Sequence, residues 1–203
     1  MKKILFLLYS FFFINICVLA QPPGQEKNHD WPCIQVPIEE LNWGSIWTGP
    51  PLDEKTAKWK ENEKLQLLAS KIMNRKTKEE DGIVELEKFI TKNNSPEDLT
   101  MLFHSLFDKT NEIWKNRIKK LKNFGKKQRL TSEKIAKKLE QIKLLAKDLD
   151  NNKEEIRKLE EEKLWDVRKF EDRRNQSDYL CEQPRFYEKR LGVYTQIILG
   201  KIN

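Results

Sequence analysis

The chain is poor in the residues from which active sites are usually built. Only two of its 203 residues are histidine, His29 and His104, and three are cysteine, Cys17, Cys33 and Cys181. A zinc site ordinarily needs three or four ligands close together, and neither a C-x-x-C nor an H-x-x-x-H pair occurs. Covalent haem attachment lacks its C-x-x-C-H signature. No G-x-G-x-x-G, P-loop or G-x-S-x-G motif occurs, so phosphate cradling by a glycine-rich loop and serine-hydrolase chemistry have no local support. Carboxylates are plentiful, but a long charged helix inevitably spaces acids three or four apart, where they act as solvated partners of Lys and Arg. No catalytic residue, metal or cofactor is assigned, and His104 reads as a helix residue held by a hydrogen bond. Alternating strand patterns are also lacking. Charges interrupt every apolar run after Gln21, so no later segment is long enough to cross a bilayer.

The amino end does hold a long apolar run. Basic Lys2 and Lys3 precede Ile4 to Leu19, and small Ala20 is followed by Gln21, Pro22 and Pro23. This layout predicts a cleavable signal peptide over residues 1–20 and a periplasmic or secreted protein. The competing reading is a retained anchor, because the run approaches the roughly 18 to 20 residues that span a bilayer. Ile14, Asn15 and Ile16 do not form the usual approach to a lipidated cysteine at Cys17. About 183 residues remain after cleavage, enough for one domain with a modest core.

Loss of Lys2 and Lys3 lowers the formal charge from +7 to +5, so the exported part stays basic. Lysine outnumbers arginine, whereas bidentate phosphate or carboxylate recognition favours arginine. For an exported chain the fitting partners are an envelope or exported protein, an anionic membrane or a cell-wall polymer, and nucleic acid is not expected. With Cys17 removed, Cys33 and Cys181 are left in a compartment that permits disulfides, and they are expected to pair.

The fold expected is all-α: a long antiparallel helical hairpin, two shorter N-terminal helices and a Trp/Pro-rich strap. The strap covers 21–52, with Trp31, Trp43, Trp47 and five prolines from Pro22 to Pro50, and holds at most a short helix from Ile38 to Trp47. It packs as one unit with the helical domain 53–203. Asp53 is the expected N-cap of a helix reaching Asn74, and Thr77 with Glu80 has capping-box spacing for a second that ends at Asn93 and Asn94. Ser95, Pro96 and Asp98 start a third, in which Gly125 need not end the helix. Ile135, Leu139, Ile142, Ala146 and Leu149 fit a coiled-coil seam, Asp150 to Asn152 the turn, and Pro184 a kink or interruption of the return arm before a last short helix from Leu191 to Ile202.

Three surfaces are candidates for contact. Lys115 to Lys138 holds eleven Lys or Arg and one acid, Glu133, and its antiparallel partners, roughly Leu164 to Tyr187, are of mixed charge. Lys119, Lys120, Lys126 and Lys127 therefore form either an anion-seeking stripe or a merely solubilising one. Trp165 and Arg168 are either a docking patch or, as favoured here, part of a set that closes the hairpin against the strap, with Arg168 paired to Asp172. Trp43 and Trp47 are interface anchors or, preferably, core mortar.

These features favour a nonenzymatic scaffold or docking component of the cell envelope. A holdase-like chaperone is the alternative, since basic helical hairpins outside the cytoplasm broadly resemble the Skp class of holdases. An enzyme or ligand carrier without a recognisable local motif is the third reading. Oligomeric state stays open, because a coiled-coil seam is satisfied equally within or between chains.

Overall fold

Ser95, Pro96 and Asp98 start a long run of apolar spacing, and a helix begins there. Ser95 Oγ accepts from the Asp98 amide at 3.1 Å, Pro96 takes the first helical position, and Glu97 and Asp98 place acid at the positive end of the helix dipole. The computed structural model describes residues 30–202. The expected signal peptide with Cys17, and the start of the strap with Pro22, Pro23 and His29, lie outside those residues. Four α-helices follow the strap: α1 (Glu63–Ile72), α2 (Glu79–Lys92), α3 (Pro96–Leu145) and α4 (Leu149–Ile202). The all-α fold is as expected, and among the described residues no helix is long and apolar enough to cross a membrane.

Several local expectations are corrected. The helix expected from Asp53 to Asn74 divides into a 3-10 helix at Thr56–Glu61 and α1. Asp53 does cap, its Oδ1 accepting from the Thr56 amide at 2.9 Å, but Asn62 caps again by accepting from the Leu65 amide at 3.2 Å. A second short polar side chain that offers its own acceptor competes with helix continuity. The Thr77–Glu80 capping box does not form: Lys78 is the N-cap, and the Thr77 hydroxyl donates to the Lys71 carbonyl at 2.7 Å. In the strap, the helix allowed from Ile38 shrinks to the 3-10 turn Trp43–Ser45.

The hairpin turns slightly earlier than Asp150 to Asn152. A 3-10 turn at Ala146–Asp148 joins the arms, and the Asn152 amide group donates to the carbonyls of Leu145 at 3.2 Å and Asp148 at 2.8 Å. Asn151 and Asn152 thus serve in the first turn of α4, closing carbonyls that the turn leaves open. The register is as expected: Gln128 donates to the Phe170 carbonyl at 3.1 Å, Arg173 to Thr131 Oγ1 at 2.9 Å, and Lys138 to Asp166 at 2.8 Å.

The expected seam is partly wrong. Leu139, Ala146 and Leu149 face solvent, while Lys138 and Leu145 turn inward beside Ile135 and Ile142. On α4 the shielded positions run Ile156, Leu159, Lys163, Asp166, Phe170 and Arg173, in steps of three and four. Pro184 does not break α4, which runs through it. Proline there forfeits one bond to the Leu180 carbonyl. The Cys181 crosslink precedes it and buried Tyr187 and Leu191 follow it, which anchors the helix on both sides of the lost bond.

The core lies at the base of the hairpin, where α1 and α2 pack on the first half of α3 and the end of α4. Leu65, Ile72, Leu86, Leu99, Phe103, Leu106, Leu191, Tyr194 and Ile198 are each no more than 1% exposed. Burial of each such side chain contributes roughly 1.5 to 3 kcal/mol before entropy is counted. Gly82 lets α2 approach α4, since a Cβ there would overlap the Tyr194 hydroxyl. Arg190 then locks the α1–α2 connection onto α4, donating to the carbonyls of Ile72, Asn74 and Thr77 at 3.2, 2.9 and 2.8 Å.

Beyond Gly125 the hairpin extends as an arm of about 20 residues per strand, roughly 30 Å at 1.5 Å per residue. Between positions 126 and 176 the buried side chains are Lys138, Ile156 and Asp166.

Candidate interaction surface

The strap runs antiparallel to α3. Asp30 lies against Gly125 and pairs with Arg129 at 2.7 Å, the Trp114 indole donates to the Ile38 carbonyl at 2.8 Å, and Asn111 accepts from the Leu41 amide at 3.0 Å. Trp47 ends the track, stacked on Phe103 with centroids 4.1 Å apart. Gly125 is required there, because any side chain would strike the Asp30 carbonyl. A disulfide between Cys33 and Cys181 fastens the strap to α4 across 148 residues of sequence.

This course decides the charge of α3. Glu40 pairs with Lys115 at 2.6 Å, Glu39 with Lys122 and Asp30 with Arg129. Glu133 adds a second partner for Arg129, and α4 supplies Glu162 and Asp166 for Lys138. What is left is the outward face: Lys119, Lys120, Lys126 and Lys127 are all exposed, and none forms an ion pair among the described residues. Steps of seven from Lys119 to Lys126 and from Lys120 to Lys127 keep these four side chains on one side, opposite the seam. The four lysines singled out from sequence thus belong to the uncompensated part of the stripe, together with Arg117 and Lys137. The counter-ions Asp30, Glu39 and Glu40 are not legible from the hairpin, because they reach α3 from the strap.

The aromatic candidates separate. Trp47 is 3% exposed and donates its indole N–H to the Pro50 carbonyl at 2.6 Å, so it is core mortar. Trp43 is at the surface, and the two do not form a pair. Trp165 does not close the hairpin on the strap: it is 61% exposed on the outside of the arm. Arg168 lies over its ring at 5.3 Å, and the expected Arg168–Asp172 ion pair is not among those formed. The seam takes Asp166 and Phe170 inward, which turns Trp165 away from the strap.

His104 is tied into a small polar cluster. Its Nδ1 lies 2.8 Å from Thr56 Oγ1 and its Nε2 3.7 Å from Asp108 Oδ2, while Trp59 donates to the same carboxylate oxygen at 3.1 Å. Burial pushes the imidazole below its usual range, against the opposing pull of Asp108. A hydroxyl, an imidazole and a carboxylate in sequence resemble a hydrolytic relay. Thr56, however, is 5% exposed and its hydroxyl is engaged with the Asp53 backbone, so it fits a cap better than a nucleophile. Among the described residues no group of three or more His, Cys, Asp or Glu is placed to hold a metal ion.

A disulfide-fastened all-α base with a charged helical arm is the class of protein these features define. Comparisons with protein-family models, with curated proteins and with solved structures find no match for the chain.

Proposed function

We propose that this chain is an exported, nonenzymatic scaffold that docks through the lysine face of α3 onto an acidic surface of a cell-envelope protein. The observation that carries this reading is the selective neutralisation of α3. Six carboxylates meet Lys115, Lys122, Arg129, Lys134 and Lys138, while Lys119, Lys120, Lys126 and Lys127 stay exposed and without ion pairs. Attraction across such a face accelerates encounter and weakens with salt. The Cys33–Cys181 disulfide supports an oxidising compartment.

A photocrosslinking residue at Asn123, between the lysines, tests the reading in intact cells, with Glu160 as the control position. One defined partner captured at 123, lost after Lys→Glu reversal of the four lysines, is the expected result. Capture unaffected by charge reversal would exclude the lysine face. The holdase alternative draws on Leu139, Leu144, Leu149, Leu164 and Trp165, which are exposed on the arm. It predicts capture of many unrelated unfolded chains and suppression of their aggregation.

A further inference from the structure

A second feature, independent of the lysine face, lies at the base of the molecule. The end of α1, α3 and α4 converge on a cleft of about 540 Å³. Four of its nine lining residues, Arg75, Lys76, Lys109 and Arg117, are cationic and none is acidic. Lys109 is engaged with Glu112 at 3.0 Å, but Arg75, Lys76 and Arg117 form no ion pair among the described residues.

Aromatic rings, in place of acids, position the two guanidinium groups. Arg117 lies 5.8 Å from the centre of the Tyr187 ring, and Arg75 lies 5.0 Å from Tyr179 and 5.8 Å from Phe186. Gln183 accepts one further bond from Arg75 Nη1. A ring occupies the flat face of a guanidinium and leaves its N–H edge available, and that fork fits the oxygens of a carboxylate or phosphate. The neighbouring cleft shares Arg75 and is lined by the Tyr179, Phe186 and Gln183 that hold its guanidinium; it carries Glu182 and Glu188 beside Arg185 and Lys189, so its charge is mixed, and Arg75 is common to both walls. The one-sided wall is on the Arg117 side.

We propose that this cleft binds a phosphate monoester. Arg75 and Arg117 hold the phosphate oxygens, Lys76 adds charge, and buried Met73 and Tyr187 form the floor beneath the organic group. A monoester carries about −1.5 to −2 at neutral pH and matches two or three uncompensated cations better than a single carboxylate does. The cleft lies within the roughly 300 to 1,000 Å³ typical of small-ligand sites. Recognition here uses side chains from the α1–α2 connection, α3 and α4, which no local motif reports.

Calorimetric titration of the full mature chain with glycerol 3-phosphate, and with acetate at equal ionic strength, tests the proposal. Sedimentation with vesicles of phosphatidic acid in phosphatidylcholine distinguishes a free ligand from a lipid headgroup. Saturable binding of either phosphate source is expected. It should weaken about tenfold or more in Arg75→Gln and in Arg117→Gln, and stay unchanged in Lys153→Gln/Lys158→Gln on the outside of the arm. Should Arg117→Gln lower the melting temperature, Arg117→Lys keeps the charge over Tyr187, removes the fork and still weakens binding. Saturation by neither source, equal affinity for acetate, or indifference to the Arg75 and Arg117 variants would overturn the site. The result does not depend on the lysine face, whose failure would leave it standing.

Discussion

Lys138 Nζ stands 2.8 Å from Asp166 Oδ2 in the middle of the arm, both side chains less than one-tenth exposed, at positions where a coiled-coil seam ordinarily carries leucine. Burial alone would lower the lysine pKa, but Asp166 and Glu162 more than reverse this and raise it. The hydrogen bond from Lys138 holds the Asp166 carboxyl below its ordinary range, against its own burial. The pair's contribution is therefore lost as pH falls through the depressed aspartate pKa or rises through the elevated lysine pKa.

Asp166→Asn leaves the ammonium with Glu162 alone, 3.0 Å away. It is expected to cost about 3 kcal/mol, read as faster hydrogen exchange in the arm. Replacing both residues with leucine should be neutral or stabilising. A double variant as weak as Asp166→Asn would show that the ion pair itself, and not the unmatched charge, supports the arm.

Removing the crosslink with Cys33→Ala/Cys181→Ala releases a loop constraint of 148 residues. The chain-entropy account places the loss at about 5 kcal/mol, to be measured by denaturant unfolding of the two forms. Proteolytic nicking should appear first in the strap. Unchanged stability would mean that the ion pairs and Trp47 anchor the strap without the disulfide.

Gly125 and Gly192 should respond oppositely to alanine. Mid-helix Gly→Ala ordinarily gains up to about 1 kcal/mol, and nothing lies within 4 Å of a Cβ built at Gly192. At Gly125 the same Cβ meets the Asp30 backbone, so Gly125→Ala should lower the melting temperature and loosen the strap. A rise in both variants would disprove close contact between strap and helix.

His104 titrates below 6.5 because burial disfavours its charged form, with Asp108 opposing. A depressed pKa makes the neutral state the stabilising one, so stability should be full above the unfolded value and fall as pH drops through the folded one. Melting temperatures between pH 7 and 5 should decline more steeply in the native chain than in His104→Gln, and an NMR titration of the ring gives the pKa directly. An imidazole titrating above 6.5 would reverse the sign.

Much of the architecture was legible in one dimension. Ser95, Pro96 and Asp98 announced α3 because capping chemistry is local, and the two cysteines outside the expected signal peptide allow a single pairing. The lysines left uncompensated were visible as a charge run, although what compensates the others was not. Asp30, Glu39 and Glu40 become counter-ions only because the strap lies along α3. Arg75 and Arg117 are 42 positions apart and share a cleft only through helix packing.

The sequence by itself determined the helical class, the start of α3, the hairpin register and the Cys33–Cys181 partnership, since each rests on periodicity, capping or pairing arithmetic. Tertiary structure alone decided that α4 continues through Pro184, that Lys138 enters the seam, that Trp165 faces outward and that cations gather around the base cleft. These outcomes depend on which faces meet. A lost hydrogen bond, a buried charge or an exposed ring is tolerated when packing on either side contributes more than it costs.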